Sequence, residues 1–157
     1  MTAKETFRAA IFREWNSKLR ALDFRGGKSS RLHRVLPDVG LFQVLELQWS
    51  RFNADDDARV RVHAGVGRTA SLPADAKPHL DQCFLTYAPM QSRDASDNWI
   101  RFVDGDSEDA LIQLLRKDYR EAWLPFFELT SRPHDAYPNA ELSVREWIKK
   151  SRHLRLV

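Results

Sequence analysis

The fold is decided by residues 41–67, LFQVLELQWSRFNADDDARVRVHAGVG. In the second half of this stretch, apolar residues occupy every other position: Val60, Val62, Ala64 and Val66. This two-residue period predicts a β-strand with one buried face over residues 59–66. The apolar-rich residues 41–50 predict a neighbouring strand, and the acidic residues 53–58 predict the loop that joins the two.

Antiparallel pairing of these two strands would divide their side chains between two faces. Leu45, Leu47 and Trp49 would join the valines in the hydrophobic core. The opposite face would carry the polar side chains: Glu46, Gln48, Ser50, Arg59, Arg61 and His63. This second face is either a solvated ladder of side chains or the floor of a binding groove.

A helix and further strands are predicted on both sides of this pair. Apolar residues at helical spacing predict a helix over residues 4–22, with Thr2 as its N-cap. Extended segments are predicted at three further places: residues 31–36, 83–88 and 99–103. The chain thus opens with a helix and continues into an antiparallel sheet of four or five strands.

The C-terminal third of the chain predicts helices. One helix begins after Asp106, its expected N-cap, and Pro125 is expected to break or kink it. A last helix is predicted over residues 139–151. Together with the N-terminal helix, these should cover one face of the sheet in an α+β fold. Residues 1–130 are expected to form a single domain, with residues 131–157 as a docked C-terminal loop and helix.

The composition indicates a soluble, cytoplasmic protein that does not enter a membrane. Charged residues make up 30% of the 157 residues, and the mean hydropathy is −0.53. No stretch approaches the roughly 20 apolar residues of a membrane-spanning helix, and the N-terminus lacks the apolar segment of a signal peptide. The single cysteine, Cys83, excludes a disulfide within the chain and suits a reducing compartment.

Charge is unevenly distributed along the chain. Residues 1–34 carry nine basic and three acidic side chains, residues 35–130 ten basic and sixteen acidic, and residues 131–157 six basic and three acidic. Such asymmetry is typical of proteins that bind an acidic partner or a nucleic acid. It is also explained by basic termini that pack beside the acidic middle or face water. A nucleic-acid-binding protein would use the basic N-terminal helix and the tail 149–155.

No catalytic or metal-binding motif is present. The glycines at 26–27 precede a lysine but lack P-loop spacing, and residues 104–109 lack the glycine and glutamate of a calcium loop. The histidines are scattered, so neither a zinc site nor a cofactor is predicted. Cys83 would act as a nucleophile only beside His63 or His79 and an orienting acid, and such a lone cysteine is typically buried and inert. An enzyme is therefore not indicated, although a site assembled from distant residues stays open.

Several segments share their pattern with a known family. The first helix ends in LDFR at residues 22–25, VLELQWSRF occupies residues 44–52, RVHAGVG occupies residues 61–67, and Cys83 and Trp99 follow. Over about residues 5–130 the chain resembles the bacterial family known as domain of unknown function 4304, with an aspartate where that family has glycine. The resemblance implies an α+β fold and a bacterial cytosolic setting, and it supplies no activity.

The candidate binding residues are polar or aromatic: Gln48, Ser50, Arg51, Arg59, Arg61, His63 and Trp99. Arginine and tryptophan are enriched at the energetically important positions of protein interfaces. The function indicated is therefore a non-catalytic protein-binding or accessory module with an unidentified protein as its partner, in an oligomeric state that stays open. The competing interpretations are a hydrogen-bonded Gln48 at the sheet edge and a Trp99 packed in the core.

Overall fold

The structure is a computed structural model that describes residues 1–26, 30–75, 77–89, 99–132 and 154–156. Its helices are α1 (Ala3–Ile11), α2 (Ser17–Arg20), α3 (Glu108–Asp118) and α4 (Leu124–Leu129). Its strands are β1 (Arg31–Leu36), β2 (Leu41–Trp49), β3 (Asp57–Arg68), β4 (Leu85–Pro89), β5 (Trp99–Val103) and β6 (Leu154–Leu156). The predicted strand positions are thus confirmed to within a few residues at their ends.

One antiparallel sheet contains all of the described strands. Their order is β1-β2-β3-β4-β6, and β5 pairs with the part of β3 that β4 leaves uncovered. The predicted α+β fold with an N-terminal helix, an antiparallel sheet and C-terminal helices is confirmed. The short strand β6 was not predicted; it pairs with β4 at the edge of the sheet. The predicted helix 139–151 lies outside the described residues, and the domain division at residue 130 stays a prediction.

Helices pack against one face of the sheet and form the hydrophobic core with it. The core side chains of the N-terminal helical segment are Phe7, Ile11, Trp15 and Leu19, each at most 2% exposed. Those of the sheet include Leu45, Val60, Val62 and Ala64, and those of the C-terminal helices include Leu115, Trp123 and Phe126. Leu45 and Leu47 are buried as predicted, whereas Trp49 is only half-buried and packs on the core edge against Phe7, with ring centres 5.6 Å apart.

The predicted N-cap is right for the first helix and wrong for the third. Thr2 Oγ1 accepts from the backbone N–H of Glu5 at 3.1 Å, and Glu5 accepts in return from the backbone N–H of Thr2 at 2.9 Å. This reciprocal pair is a capping box. Helix α3 is capped by Ser107 instead of Asp106, because Asp106 accepts from the backbone N–H of Val103 at 3.0 Å and is held in the preceding turn.

Two π-helical turns connect the α-helices in pairs, so that each pair forms one continuous helical segment. One spans Phe12–Asn16 between α1 and α2, and the other spans Tyr119–Trp123 between α3 and α4. The helical path therefore does not end at Pro125, which lies in the first turn of α4. A proline is tolerated at the start of α4 because the first turn of a helix needs fewer backbone N–H donors. The preceding π-helical turn, whose hydrogen bonds join residues five apart instead of four, has also already interrupted the regular α-helical pattern.

The second face of the sheet is divided into two halves. Its first half is covered by the segment between β3 and β4, which packs onto two glycines of β3. A Cβ atom at Gly65 would lie 2.6 Å from the sulfur of Cys83, and one at Gly67 would overlap the ring of Phe42. These two positions thus require glycine for close approach. The second half remains the polar surface predicted from the strand pattern.

Candidate functional site

Five of the seven predicted site residues lie together on the half of the second face that the β3–β4 segment leaves uncovered: Gln48, Arg59, Arg61, His63 and Trp99. Ser50 and Arg51 lie in the loop that follows β2. On the uncovered half, the register aligns Gln48 with Arg61 and Arg61 with Trp99, so three strands contribute to one row. The flanking rows pair Glu46 with His63 and Arg59 with Arg101. This polar face consists of Glu46, Gln48, Arg59, Arg61, His63, Trp99 and Arg101.

Arg61 is the central cation of the polar face. Its guanidinium carbon lies 4.4 Å from the centre of the Trp99 ring, within the range of a cation–π contact. Its Nε atom is buried and has no hydrogen-bond partner, and none of the described residues forms an ion pair with it. Stacking therefore fixes the Arg61 side chain while its charge stays available to another molecule.

Neither competing interpretation of Gln48 and Trp99 describes their environment. Gln48 is exposed, and its amide group has no hydrogen bond to the described part of the chain. Trp99 is half-buried and lies outside the hydrophobic core. Both side chains belong to the surface beside Arg61.

His63 extends the polar face toward the covered half. Burial lowers the pKa of His63, the charge of Arg61 lowers it further, and the Glu46 carboxylate acts in the opposite direction. Glu46 is itself paired with Arg31, whose Nε atom lies 3.3 Å from it. The imidazole of His63 is therefore neutral at neutral pH and offers one N–H donor and one nitrogen acceptor.

The Asp57 carboxylate offsets the positive charge of the two outer arginines of the polar face, Arg59 and Arg101. Arg101 donates to its two carboxylate oxygens at 3.0 and 2.8 Å, and Arg59 donates to it at 3.3 Å. Hydrogen bonds from Arg101 and then Arg59 hold the pKa of Asp57 at about 2, well below its usual range. Among the described residues, Arg61 is therefore the arginine of this face whose charge no carboxylate matches.

The loop between β2 and β3 adds an exposed aromatic side chain that sequence reasoning missed. Phe52 is 79% exposed, and the guanidinium carbon of Arg51 lies 4.7 Å from its ring centre. The loop is held by internal hydrogen bonds: the Asn53 side chain both donates to and accepts from the backbone of Arg59, at 3.1 and 2.8 Å, and the Ser50 hydroxyl accepts from the N–H of Phe52 at 3.2 Å. An aromatic residue directly before an acidic turn was the signal that could have identified it.

The geometry does not support a nucleophilic cysteine. Cys83 is half-buried, and its thiol donates to the carbonyl of His79 at 3.5 Å. Burial, followed by the nearby carboxylates of Glu46 and Asp81, raises the pKa of the Cys83 thiol to about 12. A thiol in this environment carries almost no thiolate at neutral pH.

Neither a metal-ligand cluster nor a membrane-spanning helix occurs in the part of the chain that the structure describes. Within the described ranges, no three histidine, cysteine or acidic side chains stand close enough together to ligate a metal ion. None of the helices described has the length and hydrophobicity needed to cross a bilayer.

Two buried polar side chains that the sequence did not single out are architectural. Gln43 donates to the carbonyl of Phe127 and to the hydroxyl of Thr130, both at 2.8 Å, and accepts from Arg34 at 2.7 Å. Glu14 is 3% exposed and accepts from Arg116 at 3.1 Å. Because these groups are satisfied internally, they join β2 to α4 and the first π-helical turn to α3 instead of forming a ligand site.

The basic side chains of the N-terminal helical segment are also engaged in internal contacts. Arg13 and Lys18 lie 3.3 and 3.5 Å from the Glu14 carboxylate, and Arg20 donates to the carbonyl of Gly26 at 2.9 Å. The guanidinium carbon of Arg8 lies 5.0 Å from the ring centre of Trp49. Of the predicted basic tail, residues 149–153 lie outside the described residues, and Leu154–Leu156 pairs with β4.

Comparisons of the chain with models of protein families, with curated proteins and with solved structures found no match. The resemblance to the family known as domain of unknown function 4304 therefore stays a prediction.

Proposed function

We propose that the protein is a non-catalytic protein-binding module that contacts its partner through the polar face and the adjoining tip of the β2–β3 loop. The observation that carries this proposal is Phe52, which is 79% exposed on a loop held by hydrogen bonds. An exposed aromatic ring in a fixed position loses little conformational freedom on binding and supplies a large apolar contact. A cytoplasmic setting and kinship with the bacterial family belong to the same proposal.

The composition of the surface around Phe52 supports a protein partner. Arginine and aromatic side chains are enriched at interface hot spots, and here Arg51 lies against Phe52 while Arg61 lies against Trp99. Polar groups without internal partners, such as the Gln48 amide, would surround this centre as a rim. The arrangement resembles the usual anatomy of an interface more than that of an enclosed catalytic pocket.

Nucleic-acid binding through the N-terminal helical segment and the tail stays the alternative. The Glu14 carboxylate weighs against it, because it lies 3.3 and 3.5 Å from Arg13 and Lys18 and offsets part of the positive charge that would attract phosphates. The acidic residues beside the loop tip, Asp55 and Asp56, weigh against it as well.

The test is affinity capture with the full-length protein immobilised and bacterial lysate washed at low and at high salt. Phe52→Ala and Arg61→Gln alter the proposed surface. Phe12→Ala, at a ring that is 49% exposed on the N-terminal helical segment, and Arg120→Gln, at an exposed arginine after α3, are the matched controls.

We expect a protein that survives the high-salt wash on the wild type and on both controls but is lost from both surface variants. Proteins captured equally by all five forms would overturn the assignment of this surface. Nucleic acid that is retained at low salt and released at high salt would favour the alternative function.

A further inference from the structure

We propose that Gln48, Arg61 and His63 form a carboxylate-binding site, and that the partner therefore contacts the polar face through an acidic segment of its chain. This inference rests on the proposed binding function and names the chemistry of the partner. Its basis is one cation without a carboxylate and two neighbouring side chains that can donate hydrogen bonds.

Arg61 supplies a cation that is held in place. Its guanidinium is positioned by the Trp99 ring at 4.4 Å, and its buried Nε atom lacks a hydrogen-bond partner. Because Nε is shielded from solvent, a ligand would meet the terminal nitrogens of this half-buried side chain, to which the described residues supply no hydrogen bond. A planar guanidinium matches the two oxygens of a carboxylate in particular.

The described acidic side chains near Arg61 are paired with other arginines. Glu46 is paired with Arg31 at 3.3 Å, and Asp57 accepts from Arg59 and Arg101. Both carboxylates of this surface are thus already matched with cations. Neither forms an ion pair with Arg61, so a carboxylate from outside would meet little competition.

Two hydrogen-bond donors lie beside Arg61 on the sheet. Gln48 is directly opposite Arg61 on β2, where paired side chains on one face stand about 5 Å apart at their Cβ atoms. His63 lies two residues further along β3 on the same face. An amide N–H, a guanidinium and an imidazole N–H therefore surround one small area of the sheet.

A protein carboxylate suits this surface better than a phosphate backbone. Asp55, Asp56 and Asp104 lie together with Glu5 around an open depression of about 400 Å³ between the loop tip and the N-terminus of α1. A nucleic acid carries a negative charge on every nucleotide and would meet repulsion there. A peptide segment can instead place one or two carboxylates at Arg61 and an apolar surface against Phe52.

The test is a titration followed by NMR with the full-length protein, using three probes of equal length. These are a peptide of alternating glutamate and serine, the same peptide with glutamine in place of glutamate, and a single-stranded oligonucleotide. We expect only the glutamate peptide to shift the signals of the Gln48 amide, the Arg61 Nε–H and the Trp99 indole. Arg61→Gln should weaken its binding at least about tenfold, since a hydrogen-bonded charge is lost.

Arg120→Gln is the matched control and should bind the glutamate peptide as the wild type does. Arg61→Lys keeps the charge and should recover part of the affinity, because it loses the planar fork and the stacking. Dispersed amide signals in each variant show that the fold is intact. Equal binding of the glutamine peptide, tighter binding of the oligonucleotide, no binding of any probe, or an unchanged affinity in Arg61→Gln would each overturn the inference.

The two proposals fail in distinguishable ways. If a protein partner is captured through Phe52 but the glutamate peptide does not bind, the binding module stands and the carboxylate site is wrong. If the peptide binds at Arg61 but no protein is captured in a Phe52-dependent manner, the site stands and the proposed protein partner is wrong.

Discussion

The indole rings of Trp15 and Trp123 pack edge to face, with their centres 5.6 Å apart and their planes at 76°. Each tryptophan belongs to a π-helical turn, and the Trp15 N–H donates to the carbonyl of Leu115 at 2.8 Å. The N-terminal and C-terminal helical segments are thus joined at the two places where their helical winding widens. This contact anchors the helical layer that covers the core face of the sheet, opposite the polar face.

Trp15→Ala should destabilise the protein strongly. Trp15 is fully buried, so its removal leaves a large cavity and takes the hydrogen-bond donor away from the Leu115 carbonyl. We expect a loss of about 3–5 kcal/mol in the free energy of unfolding. Urea denaturation measures this loss. Trp49→Ala, at the half-buried edge of the core, is the control and should lose less stability. Equal losses at the two positions would contradict the central place of Trp15.

The sequence allowed the sheet to be predicted better than the winding of the helices. Strict alternation in β3 identified its buried face, and the register then brought Gln48, Arg61 and Trp99 together as the candidate site. The sequence did not distinguish the covered half of the second face from the polar half. The covering depends on the packing of Cys83 onto Gly65, a contact between residues far apart in the sequence that no local pattern reveals. Phe52 was missed because exposure of an aromatic side chain in a loop has no periodic signal.

The π-helical turns did have a signal in the sequence. The large buried apolar side chains of the N-terminal segment are spaced four apart, at positions 7, 11, 15 and 19, whereas a regular α-helix has 3.6 residues per turn. Each step of four therefore drifts by about 40° from a straight stripe. One widened turn restores the shared face, so a strict four-residue spacing over several turns predicts such a turn.

Gln43→Leu should destabilise the protein through the groups that it leaves behind. The Arg34 guanidinium loses an acceptor at 2.7 Å, and the Phe127 carbonyl loses a buried donor at 2.8 Å. A loss of about 1–3 kcal/mol in the free energy of unfolding is expected, although the apolar volume is kept. In chemical denaturation, the double variant Arg34→Met/Gln43→Leu should lose less than the sum of the two single variants. Additive losses would show that the two side chains are not coupled.

Asp57→Asn should reduce stability in a pH-dependent manner. The pKa of Asp57 is lowered from 3.8 to about 2 in the folded protein by hydrogen bonds from Arg101 and Arg59. A lowered pKa means that the ionised form stabilises the fold above pH 3.8 and that this contribution is lost as the pH falls toward 2. Because the ion pairs are largely solvent-exposed, the difference at neutral pH should be at most about 1 kcal/mol.

Denaturation curves of the wild type and of Asp57→Asn at neutral and at acidic pH measure this difference. It should be constant near neutral pH and shrink in acid. Asp38→Asn, at an exposed carboxylate without an ion pair to the described residues, serves as the control and should show no such trend. A difference that grows in acid would contradict the lowered pKa.

Cys83 should react slowly with thiol reagents as long as the protein is folded. Burial raises the pKa of its thiol from 9.0 to about 12, which lowers the thiolate fraction at mildly alkaline pH about a thousandfold. Modification of Cys83 by iodoacetamide, followed by mass spectrometry, should therefore be slow in buffer. The same reaction in denaturant should be fast, and this unfolded chain is the reference for an unshielded thiol. The sulfur of Cys83 lies against Gly65, in the covered half of the second face and outside the polar face. Cys83→Ser should therefore leave peptide binding at Arg61 unchanged. Rapid modification of the folded protein would mean that the segment covering the first half of the second face opens in solution, and the boundary of the polar face would then have to be redrawn.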